Sequence, residues 1–195
     1  YQDMLPNKSK KPIKISVPVE LRRMFGLQTV RNCALYANIG IYPQKKDYTF
    51  DDILAETVIK LKEGFDKETL RRIASTNTAD ANLAGFRYSP VFMKNLYLRI
   101  GFLMYGPRLV TTSFSNFGIV TVPQAVKEHV DHFEFMIGST KKCALNCGTV
   151  TFGNVLNVTF AAVSDATNVQ RLFFTFLSEQ GVPVRIQSNI ETEKL

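Results

Sequence analysis

Residues 142–163 read KCALNCGTVTFGNVLNVTFAAV. Two runs rich in β-branched and aromatic residues flank Gly153-Asn154, a pair that closes a two-residue hairpin. Working outward, HFEFMIG (132–138) and LVTTSFSNFG (109–118) read as further β segments, and VPVRIQSN (182–189) as a closing strand. Near the other end, PIKISVPVEL (12–21) places Ile13, Ile15 and Val17 on one face of a strand. NCALYANIGIYP (32–43) alternates Cys33, Leu35, Ala37 and Ile39 with Ala34, Tyr36 and Asn38. Both sets hold apolar groups, so this strand is expected to be covered on both faces.

Helices lie between these strands. Glu20 to Phe25 allows one turn or two. Phe50, Ile53, Leu54, Thr57, Val58, Leu61 and Phe65 fall on one helical stripe, with Thr49 as N-cap, Asp52 three residues on and Gly64 near the end. Lys67 to Asn82 forms a more polar helix. Ser89-Pro90 starts a third, with Phe92, Leu96, Ile100 and Leu103 on its stripe and Gly106-Pro107 as its stop. A short helix near Pro123–His129 follows, and Asp165 caps a last one that turns Val169, Leu172, Phe173, Phe176 and Leu177 inward. Helices and strands are partly segregated rather than alternating. The expected class is therefore α+β, a mixed β-sheet with helices packed against it.

Composition narrows the functional classes. With 195 residues, 45% hydrophobic and 21% charged, the chain is of ordinary globular make-up and long enough for one core without disulfide or metal staples. Residues 1–11 (YQDMLPNKSKK) read as a linker and 12–195 as one domain. The first residue is Tyr1, which suggests that something precedes it. No run reaches the ~20 apolar residues of a membrane span. The net charge of +7 owes much to Lys8, Lys10, Lys11 and Lys14 at the N-terminus, so a solvated tail is the better reading than a nucleic-acid surface. Three cysteines, Cys33, Cys143 and Cys147, have no framework spacing, and a reducing, cytoplasmic setting is expected.

Motifs of known chemistry are few. His129, His132, Cys143 and Cys147 are good zinc ligands, but strand spacing sets the two cysteines about 13 Å apart, too far for one ion. In EHVDHF, Asp131 stands between the histidines, and neighbours in sequence do not face one another. No nucleophile elbow, Walker loop or dinucleotide fingerprint occurs. The string Ser113-Phe114-Ser115-Asn116-Phe117-Gly118 could aim hydroxyl and amide donors into a cleft, or could be an ordinary strand end.

The run KISVPVELRRMFGLQTVRNCALYANIGI (14–41) resembles the segment after the catalytic motif of chloramphenicol-acetyltransferase-like acyltransferases. SFSNFGIVTVP resembles the Ser-x-Ser-Asn-x-Gly strand of the alcohol acetyltransferase and condensation-domain-like branch. HFEFMIG, CGTVTFGNVLNVTF and RLFFTFLSEQGVPVRIQSN follow in that branch's order, over about residues 12–189. The resemblance implies one lobe of a two-lobe protein in which substrates meet between the lobes. An alcohol or amine there takes an acyl group from a thioester of coenzyme A or a carrier protein, which acts as co-substrate with no permanently bound cofactor. The family's base is the second histidine of a His-His-x-x-x-Asp-Gly motif, which this chain lacks. It is thus similar to the C-terminal lobe alone, with no catalytic residue of its own, inactive in isolation and partnered by an N-terminal lobe. Ser113, Ser115, Asn116 and Gly118, with Asn38 nearby, are the implied tunnel-wall residues. The alternative is a non-catalytic binding or scaffold module of the same fold. A lone lobe should also expose apolar surface, expected around residues 109–122 and 150–163, and self-associate through it.

Overall fold

The computed structural model describes residues 12–43, 47–82, 87–105, 110–140 and 143–189. The expected linker at 1–11 and the Gly106-Pro107 stop lie outside them. Alternating residues build the first hairpin-like pair, β1 (Ile13–Glu20) against β2 (Ala34–Ile41), antiparallel. Ile13, Ile15, Val17 and Val19 stand opposite Ile41, Ile39, Ala37 and Leu35, so one face is wholly apolar. The other carries Lys14, Ser16 and Pro18 against Gly40, Asn38 and Tyr36. Between the two strands Glu20 accepts from the Arg22 N–H to cap α1 (Leu21–Phe25), which ends at Gly26 with φ +64°.

The sheet continues through β3 (Thr112–Ile119), β4 (Leu145–Phe152) and β5 (Val155–Ala162), in the order β2-β1-β3-β4-β5. β3 runs parallel to both β1 and β4, and β4 pairs antiparallel with β5. The β1–β3 register stops at Ser16↔Ser113, short of Pro18, which has no N–H for a ladder. Gly153 takes φ +57° in the two-residue turn that Phe152↔Val155 closes. The protein is α+β, with an open mixed sheet.

Helices cover the apolar face. A capping box between Thr49 and Asp52 starts α2 (Phe50–Gly64), and α3 (Lys67–Asn82) follows directly. Val19, Leu21, Ala37 and the fully buried Leu70 form the core under them, with Met24, Phe25, Leu35 and Phe65 packed around. A Cβ on Gly64 would stand 3.1 Å from that of Ala37, so α2 ends almost on β2. Farther along, α6 (Asn168–Glu179) lays Phe173 and Phe174 on Phe160 of β5, and Phe176 meets Phe50 of α2. Register places Phe160, Cys147 and Phe114 on the same face as Ala37. No helix spanning the described residues is long and apolar enough to cross a membrane.

Several expectations need correction. β2 is covered on one face only, since Tyr36 and Asn38 are exposed. Thr167 rather than Asp165 stands at the N-cap position of α6, with no side-chain capping hydrogen bond, and Leu172 is turned outward. VPVRIQSN is not a strand; its residues are mostly exposed and join no ladder. α4 (Val91–Tyr105) forms where Ser89-Pro90 placed it, but its stripe is not core: Phe92 is 71% and Leu96 54% exposed. HFEFMIG is extended with strand-like alternation, Phe133, Phe135 and Ile137 half-buried, yet it pairs with no strand. It follows α5 (Gln124–Lys127) and crosses the sheet's open face instead of joining its edge.

Candidate functional site

Strand register aligns polar side chains across the face opposite the helices. Asn38 of β2 pairs with Ser16 of β1, Ser16 with Ser113 of β3, and Ser113 with Asn146 of β4. At ~4.8 Å per strand, this transverse row is about 14 Å long. Two residues on, Ser115 shares the face and stands opposite Gly148. Of the residues singled out from sequence, Ser113, Ser115 and Asn38 therefore come together. Asn116 does not: alternation turns it to the helix side, where it is exposed and accepts at Oδ1 from the Gly118 N–H at 2.9 Å. Gly118, with φ +90°, serves that turn and the bulge that follows.

Two members of the row were not legible as site residues. Ser16 is 5% and Asn146 4% exposed, and each sits in an otherwise apolar run. The lone amide within CALNCGTV was the available signal. Asn146 is fully engaged: Oδ1 accepts from the Ser113 N–H at 3.0 Å and the Cys143 thiol at 2.9 Å, while Nδ2 donates to the Gly138 carbonyl at 2.8 Å. That last bond ties down the segment 132–138. Phe133 meets Phe152 edge-on at 5.1 Å, and Phe135 meets Phe117 at 5.4 Å. Between them the backbone lies directly on Gly148, where a Cβ would overlap the Phe135 carbonyl oxygen. The segment is a strap along β4, and it walls one side of the serine row.

The sulfur and imidazole groups do not converge. Cys143 precedes β4 in an isolated bridge to Thr140, whereas Cys147 lies on the helix face, where burial pushes its thiol up to about 11. His132 is exposed on the strap's outer side, 3.5 Å from Glu134, and His129 follows α5. Among the described residues no group of three or more His, Cys, Asp or Glu could hold a metal ion. The row itself offers hydroxyls and amides, with no carboxylate, imidazole, amine or thiol in it. Its accessible members, Asn38, Ser113 and Ser115, can orient a carbonyl or hydroxyl ligand by hydrogen bonds but supply no base, while Ser16 and Asn146 are buried beneath. Comparison with protein-family models, curated proteins and solved structures gives no match to this chain.

Proposed function

We propose that the chain is the C-terminal lobe of an acyltransferase of the chloramphenicol-acetyltransferase-like kind, providing one wall of a site that moves an acyl group from a coenzyme A or carrier-protein thioester to an alcohol or amine. The observation that carries the reading is the accessible part of the polar row, Asn38, Ser113 and Ser115, braced by the buried Ser16 and Asn146 on the sheet face opposite Ala37 and Phe160. In that reaction the acceptor oxygen or nitrogen attacks the thioester carbon, its proton passes to a base, and the carbonyl oxygen gains charge before the thiolate leaves. Serine hydroxyls set on a rigid strand suit that oxygen, because they need little reorganisation to donate. The base comes from the other lobe in this reading, so the chain alone binds without turning over. A non-catalytic binding module is the second reading, favoured by the absence of any titratable group from the row.

The test is an amide-resolved NMR titration with acetyl-pantetheine at millimolar concentration. Shifts gathered at Ser16, Asn38, Ser113 and Ser115, and lost in Ser113→Ala/Ser115→Ala, are the expected result. Shifts confined to the helix face, or none, would overturn the reading. Adding a polypeptide that carries the His-His-x-x-x-Asp-Gly lobe then separates enzyme from binding module, by turnover or its absence.

A further inference from the structure

The strap holds an extended backbone that nothing in the described structure pairs. From Asp131 to Ile137 no main-chain N–H or C=O is hydrogen-bonded to another of the described residues. An open loop of that kind would be expected to relax toward turns, yet this one is held straight at both ends. Phe133 and Phe135 clamp it to Phe152 and Phe117, Gly148 lets it lie flat, and Asn146 grips the Gly138 carbonyl. Its outer side shows His132, Glu134 and Met136; Asp131 and Glu134 are its charged groups, and it holds neither the Lys nor the Pro that most often blunts a free strand edge. The outer edge of β2, by contrast, has the Lys60 ammonium on its Gly40 carbonyl.

We infer that residues 131–138 form a preordered docking strand that receives an extended strand of a partner polypeptide by main-chain pairing. The Phe135 carbonyl faces Gly148, so the ladder groups turned away from β4 are those of the alternate residues 132, 134 and 136, a regular spacing that another extended main chain matches and that a lipid or nucleic acid does not. Side-chain chemistry adds to the specification. Glu134, exposed at the centre of the outer row, favours a basic residue opposite it, since opposite charges across a strand pair attract. The inference stands apart from the acyltransferase reading, because it needs no ligand in the serine row.

The probe is the peptide Thr-Val-Lys-Val-Lys-Val-Thr with blocked ends, together with a twin methylated at alternate backbone nitrogens. In the chain alone, strap amides should exchange with solvent as fast as those of an unstructured peptide. The probe should slow the set 132, 134 and 136, whose main chain is turned away from β4, by about tenfold, and the twin should not. Glu134→Lys, an exposed change that leaves the clamps intact, should weaken the lysine probe several-fold and strengthen its glutamate counterpart. A net charge of +7 makes non-specific attraction of a cationic peptide an inadequate alternative. Strap amides already protected in the chain alone, slowing that ignores alternation or is shared by the twin, or no slowing at millimolar probe would each overturn the inference.

Discussion

Gly148 has no side chain, and that absence lets the Phe135 backbone rest on β4. Gly148→Ala should force the strap off the sheet and cost about 1–3 kcal/mol, the range of an overpacked core position, read from urea unfolding. A shift below a few tenths would mean that the strap does not press there. Charge at a single residue gives a second expectation. Arg22, hydrogen-bonded to Glu20 through side chain and backbone, holds that carboxyl down at about 2 against an ordinary 4.5. Because the folded value is the lower one, the pair's stabilisation is complete above about pH 4.5 and is lost as pH falls towards 2. The group is on the surface, so the effect is small. The gap in unfolding midpoint between the native chain and Glu20→Gln should close over that window; a gap that persists at pH 2 has another origin.

Elements with strong local signals formed where their residues put them. The Thr49–Asp52 capping box is a case: Thr49 Oγ1 accepts from the Asp52 N–H, and the Asp52 carboxylate accepts from the Thr49 N–H. Thr49→Ala should destabilise the chain by about 1 kcal/mol and Thr49→Ser should recover most of it, as thermal denaturation would show. The hairpin at Gly153-Asn154 was equally legible, since a positive φ at the first turn position asks for glycine. Alternation alone misled at HFEFMIG and at VPVRIQSN. A period of two shows that a segment is extended with one side against something; it does not show whether a neighbouring strand lies within ladder distance. The start of the last helix was misread for a related reason: Asp165 suits a cap by type, but the helix begins two residues later, at Thr167, without a side-chain capping hydrogen bond.

At the scale of the molecule, apolar surface remains uncovered. Phe117, Ile119, Val155 and Leu156 are exposed in the segments where a lone lobe was expected to show its interface. The larger concentration is on α4, where Phe92, Leu96, Leu98, Ile100, Leu103 and Met104 are all exposed. A helix apolar on most sides belongs in an interior, and at fifteen residues it is too short to span a bilayer. The isolated chain should therefore self-associate with rising concentration, seen as growing mass in light scattering. Leu96→Glu/Leu103→Glu should reduce that association more than Phe117→Ser/Ile119→Ser does. The opposite ranking would place the sticky surface on the sheet.

The sequence by itself determined the α+β class, the main helices and the segments that became the five strands, though it also marked two segments that did not, because each reading rests on periodicity, capping or turn chemistry within a few residues. Tertiary structure decided what depends on distant partners. Register across four strands brought Asn38, Ser16, Ser113 and Asn146 into one row, and turned Asn116 away from it. It also laid 132–138 across a face rather than along an edge. Residues 38, 16, 113 and 146 become neighbours only once the strand order β2-β1-β3-β4 is set, by main-chain pairing between segments far apart in the chain.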